Sequence, residues 1–192
     1  MANALAPHVN RRAIMNRSPE ARLAGRLFDC DKVVRPLLKE SAEDFYVAVQ
    51  PAWEWNSRYW EQRALLVAPD NLDQAISFAK HAVAIEQHPY PLTTLGKLLL
   101  KRMENATSSR DDCYAEAAAC LNDAIDREHR FSRITIHPYM TLFAGTAKYL
   151  ELGGRLTKKD KDRMDKHLDE AKFEFFGDLQ LDSTIARLEH VL

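Results

Sequence analysis

Apolar residues along this chain recur at helical rather than alternating spacing. Trp55, Tyr59, Trp60, Ala64 and Val67 fall on one side of a helix. After the turn signal Pro69-Asp70-Asn71, the positions Leu72, Ala75, Ile76, Ala79, Ala82, Val83 and Ile85 form a second amphipathic stretch. Pro89 and Pro91 are expected to close it. Before this pair, Ser18-Pro19-Glu20 predicts a helix start, followed by Leu23, Leu27 and Phe28. Ser41 with Asp44 predicts another helix, which Pro51 should break or restart. Late in the chain, Thr157 with Asp160 opens a helix marked by Met164, Leu168, Ala171 and Phe175, and Gly177 ends it. Ser183 is expected to cap a final helix with Ile185, Leu188 and Val191.

Repetition sharpens the pattern. His88-Pro89-Tyr90 recurs as His137-Pro138-Tyr139, and a glycine follows eight residues after each histidine, at Gly96 and Gly145. Asn56 precedes Ala64 by the same interval. Small or apolar residues also recur seven apart at Ala75 and Ala82, Ala117 and Ala124, and Met164 and Ala171. Small side chains at these points allow close approach of helix axes. The repeats are unevenly spaced, and the polar stretch Lys101–Asp112 reads as an enlarged turn.

The arrangement resembles the tetratricopeptide repeat. Trp60 with Ala64, and Ala75 with Ala82, are similar to its first copy. Leu92, Leu95, Gly96, Leu99, Ala117, Leu121 and Ala124 look like a second, and Gly145, Met164 and Ala171 match a third loosely. Pro89 falls about two residues late for the consensus. The resemblance implies an all-α fold of stacked antiparallel helical hairpins, a right-handed solenoid. An N-terminal helical segment (1–51) would precede hairpins at about 52–88, 89–130 and 137–176, with a C-terminal capping helix. Three phrases, Ser18–Asp29, Trp55–Leu65 and His88–Lys97, also resemble the carboxy-terminal repeat regions of large bacterial nucleotide-binding defence proteins, where a helical sensor follows an ATPase. No Walker motif or effector motif is present, so only the sensor part would be represented.

In such repeats the first helices line a concave face. The candidate partner-binding residues are Arg58, Glu61, Tyr90, Thr93, Lys97, Tyr139, Leu142, Thr146 and Tyr149, a mixture of aromatic and polar groups suited to a peptide. Trp53, Trp55, Tyr59 and Trp60 are expected in the core. His88 and His137 are expected to cap or pack at helix entries, since no acid or nucleophile stands at a defined spacing from them.

Composition narrows the function. With 27 basic and 28 acidic residues, the net charge of −1 gives no overall field for nucleic acid. Arg11, Arg12, Arg17, Arg22 and Arg26 form a local cluster that could touch phosphate, while the basic run Arg155–Lys166 is interrupted by Asp160, Asp162 and Asp165 and reads as a solvated helix face. Cys30, Cys113 and Cys120 lack metal spacing and read as reduced thiols. No membrane span or signal sequence is recognisable, so a cytoplasmic location is expected. The expectation is therefore a non-enzymatic module without cofactor or metal that binds a protein or peptide. A self-associating scaffold is the alternative, followed by contact with nucleic acid. Oligomerisation through a larger parent protein fits the first reading.

Overall fold

The computed structural model describes Pro19, Arg22 and residues 43–106, 108–131 and 134–192. The expectations on 1–42 otherwise lie outside the described residues, as does Cys30. Within the described residues the chain is all-α, with no strand. The helices are α1 (helical over 43–53), α2 (Ser57–Val67), α3 (Leu72–Ile85), α4 (Pro89–Asn105), α5 (Arg110–Arg130), α6 (Ile136–Glu151), α7 (Lys158–Glu174) and α8 (Leu179–Val191). They divide into two compact units, one ending at Gln87 and one beginning at His88.

In the first unit, Asn56 and Asn71 start α2 and α3, accepting from the backbone N–H groups of Arg58 and Gln74 at 2.9 and 3.0 Å. Asparagine suits this position because its short side chain satisfies one of the unpaired donors of a helix start. α2 packs along α3. Ala64, Ala75, Ala79 and Ala82 are wholly buried, as their small size at the helix crossing requires. Phe45, Tyr46, Val49, Ala52, Trp53, Tyr59, Trp60 and Leu66 complete the core. Pro51 neither breaks nor restarts the helix; it lies in the last turn of 43–53. The break comes at Glu54–Asn56, so the tryptophans sit on two elements. Trp53 and Trp60 are buried, while Trp55 is 40% exposed.

Arg63 joins α2 to α1. Only 7% exposed, it is paired with several partners. Its guanidinium donates to Glu43 at 2.8 Å, to Gln50 Oε1 at 2.7 Å and to the Tyr59 hydroxyl at 3.2 Å, and lies 4.5 Å from the Phe78 ring centre. Tyr59 in turn donates to the Tyr46 carbonyl at 2.6 Å. Burial is the main reason its phenol is pushed up to about 12, opposed by the neighbouring Arg63.

In the second unit, α4 packs closely along α5, and α6 packs against both. Gly96 makes the first contact possible: a Cβ there would lie 2.6 Å from Leu121 Cγ. Gly145 makes the second possible, since a Cβ would lie 2.3 Å from Leu100 Cδ1. The two glycines occupy equivalent places in the repeated phrase but meet different neighbours. Leu99, Met103, Leu121, Ile125, Leu142 and Phe143 are buried around these crossings. α6 approaches α8 more closely than it does α7. Leu181, Ile185 and Leu188 bury the apolar side of α8.

Several boundaries differ from the sequence expectation. Lys101–Asp112 is mostly helical: α4 continues to Asn105 and α5 begins at Arg110. The uneven spacing comes from long helices rather than a long turn. Pro89 and Pro91 belong to the first turn of α4, where the missing N–H costs nothing, and α3 has already ended at Ile85. Asp178, not Ser183, caps α8, accepting from Gln180 and Leu181 N–H at 3.0 and 2.9 Å. Thr157 caps α7 as expected, accepting from Asp160 N–H at 3.2 Å. α6 ends at Gly153 with φ +86°, a conformation that favours glycine. There Gly154 N–H returns to the Tyr149 carbonyl at 3.0 Å and Gly153 N–H to that of Leu150 at 2.9 Å.

Candidate functional site

The start of α4 and the end of α5 create an exposed aromatic shelf in the second unit. His88 is the N-cap of α4, its Nδ1 accepting from Tyr90 N–H at a long 3.5 Å. Its ring stacks on Tyr90, with centres 5.2 Å apart, and on Phe131, at 5.8 Å. Phe131 follows the last turn of α5 as its C-cap, with 61% of its surface exposed. A hollow lined by His88, Pro89, Tyr90, Glu128, Phe131 and Thr135 lies beside the three rings.

The floor of that hollow is firmly built. Glu128 is buried, and its carboxylate accepts from Thr135 N–H at 2.7 Å and Thr135 Oγ1 at 2.6 Å. This ties the end of α5 to the residue that starts α6. From the shelf, Tyr90, Thr93 and Lys97 run along α4 at spacings of three and four, with Tyr90 and Lys97 exposed and Thr93 half-buried. Thr93 Oγ1 donates to the Pro89 carbonyl at 2.8 Å. The surface thus offers flat apolar faces at one end and an ammonium further along.

The other expected partner-binding residues are placed differently. Arg58 is exposed on α2, whereas Glu61 is buried. Tyr139, Leu142, Thr146 and Tyr149 lie inside the second unit, none more than 4% exposed. α6 packs against α4, α5 and α8, and these four side chains lie on its covered sides. Tyr149 stacks on Tyr114, with rings 4.0 Å apart and nearly parallel at 2°. Its hydroxyl donates to Asp111 at 2.9 Å, and the Tyr114 and Thr146 hydroxyls share a bond of 2.9 Å. Burial pushes the Tyr114 phenol up to about 12. His137 is exposed within the first turn of α6, whose N-cap is Thr135, and so does not repeat the role of His88.

A polar cluster that the sequence pattern does not reveal joins α5, α6 and α7. The Tyr139 hydroxyl donates to Glu170 at 2.8 Å and lies 3.0 Å from His129 Nε2, which is itself 3.0 Å from Glu170. Buried His167 bonds Asn122 Oδ1 through Nε2 at 2.9 Å, and its Nδ1 lies 3.7 Å from Glu170. Burial, reinforced by Glu170, holds the Tyr139 phenol far above its ordinary range. A phenol held protonated and donating to a carboxylate is a fastener rather than a base. His167 and Glu170, three apart on α7, were the available hint, but nothing local joins them to residues more than thirty positions earlier. Cys113 is buried and Cys120 half-buried, both free thiols. Among the described residues no cluster has metal-binding geometry, and no helix is long and apolar enough to cross a membrane. Arg22 is the only described member of the N-terminal arginine cluster, and it is exposed. In the later basic run, Arg163 pairs with Asp126 at 2.8 Å.

In comparison with known proteins, the chain matches no family model, no curated protein and no solved structure.

Proposed function

We propose that this chain is a tetratricopeptide-like recognition module whose α4 surface binds a polypeptide segment. The observation that carries this reading is the stacked, solvent-facing shelf of His88, Tyr90 and Phe131, continued by Lys97 on the same helix. Flat aromatic faces give large contact area at little entropic cost, and a lysine beyond them favours a ligand with an acidic group at matching distance. The close helix crossings at Gly96 and Gly145 support the repeat-like part of the reading. The likeness of three phrases to bacterial defence proteins supports a sensing role in the cytoplasm.

The test is selection from a displayed random-peptide library, followed by anisotropy measurements on the enriched peptides. Enriched sequences should pair an aromatic or aliphatic residue with an acid. Phe131→Ala and Lys97→Glu should each weaken binding about tenfold, the effect of losing one good contact, with helix content unchanged. Failure to enrich any peptide, or affinities indifferent to both substitutions, would overturn the proposal. Tyr149→Ala is unsuitable as a probe of this surface because it removes a buried stacking partner.

A further inference from the structure

The turn between α7 and α8 carries a second surface, independent of the α4 shelf. Phe173, Phe176 and Leu179 are 82%, 94% and 84% exposed, three large apolar side chains within seven positions. The turn that bears them is anchored. Between Phe173 and Phe176, Phe175 points inward and packs edge-on against Tyr139 at 5.8 Å. Phe175 N–H bonds the Ala171 carbonyl at 3.0 Å, and Asp178 N–H bonds the Phe175 carbonyl at 3.1 Å. Gly177 adopts φ +85°, and the Asp178 carboxylate caps α8. Three apolar groups are thus held outward by a turn fixed on both sides. Large apolar side chains clustered on one fixed turn and left in water mark a candidate interaction surface.

The rim identifies the occupant. Residues 169–182 contain five carboxylates and one lysine, and that lysine, Lys172, is bound to Glu189 at 2.6 Å. Glu170 faces inward, whereas Asp169, Glu174, Asp178 and Asp182 are exposed. The geometry points to a basic amphipathic helix of a partner protein, with its apolar side on Phe173, Phe176 and Leu179 and its lysines or arginines over the acidic rim. A second copy docking symmetrically would bring acidic rim against acidic rim. An anionic membrane would be repelled for the same reason.

A fluorescein-labelled amphipathic leucine–lysine helix and its leucine–glutamate counterpart serve as probes of the full chain, read by anisotropy. The lysine helix should bind, more weakly as salt rises, and the glutamate helix should not. Replacing Phe173, Phe176 and Leu179 together by Ser should weaken binding by more than about tenfold. E174Q with D182N should weaken it severalfold. All three positions of the first variant are solvent-facing, so circular dichroism should be unchanged. Y90A with K97E should leave this binding intact, which separates it from the α4 proposal. Absence of binding, equal binding by the serine variant, or equal binding of the glutamate helix would overturn the inference. So would light scattering or vesicle sedimentation showing that the same three residues drive self-association or lipid binding instead.

Discussion

At Gly96 one hydrogen atom separates a fitted helix crossing from a clash. An added Cβ would lie 2.6 Å from Leu121 Cγ, 2.9 Å from Cδ2 and 3.3 Å from the Ala117 carbonyl. Leu121 is wholly buried and Cγ is its branch point, so little of it can swing away. Gly96→Ala should gain about 1 kcal/mol of helix propensity and lose about 1–3 kcal/mol to overpacking. A net fall in the urea midpoint is expected. The Tyr139 hydroxyl makes a second residue-scale prediction. Tyr139→Phe keeps the buried ring but removes the donor to Glu170 and the bond to His129, and should cost about 1–3 kcal/mol in chemical denaturation. The same cluster gives stability a pH dependence. Burial, with the nearby Arg163 charge, holds His167 below its ordinary 6.5. The unfolded chain therefore takes up the proton first, and this contribution, full above about pH 6.5, declines as pH falls below it. Burial pushes the Glu170 carboxyl up, but the Tyr139 bond and the His129 charge more than offset it, so its value lies below the usual 4.5. Its contribution is present above that value and is lost as pH falls through the depressed one. Both act in the same direction. A thermal midpoint that falls from pH 7 towards pH 5, with a weaker fall in His167→Gln, is the expected result.

At the scale of elements, Arg63 is one of the polar ties between α1 and α2, beside the Tyr59 bond to the Tyr46 carbonyl. Arg63→Met should retain contact with Phe78 and Trp60 but strand the Glu43 and Gln50 acceptors. A loss of about 1–3 kcal/mol follows, and the fall in denaturation midpoint should shrink when Glu43→Gln is present as well. Local chemistry made many elements readable from sequence. Asn71 and Thr157 cap helices because Asn and Thr compete poorly inside them but serve their first donors well, and alanines seven apart mark buried faces. Lys101–Asp112 reads as a turn because Asn105, Ser108 and Ser109 disfavour helix locally. Burial of Met103, Cys113 and Tyr114 extends the flanking helices into that stretch. The burial of Glu61, Tyr139, Leu142, Thr146 and Tyr149 has another ground. Periodicity assigns residues to a shared face but does not say which other helices cover it, and α6 is covered on several sides. Of the nine expected residues, Tyr90, Thr93 and Lys97 end together on an accessible face of one helix. Repetition marks out His88 in the sequence, whereas Phe131 carries no local signal of its role.

At the scale of the whole molecule, the two compact units differ in their aromatic chemistry. All three tryptophans, Trp53, Trp55 and Trp60, precede Gln87. The parallel-stacked Tyr114–Tyr149 pair lies beyond it, shielded from solvent and locked by bonds to Thr146 and Asp111. Two rings in that arrangement couple their electronic transitions, so the near-ultraviolet dichroism of the second unit should carry a signature that Tyr149→Phe removes. Indole emission, excited at the red edge, reports the first unit alone. Tyr46 and Tyr59 also absorb in the first unit, but the indoles and the stacked tyrosine pair each belong to one half. A titration followed by indole emission and by the part of the dichroism that Tyr149→Phe removes reads whether the halves melt as one cooperative body or in succession.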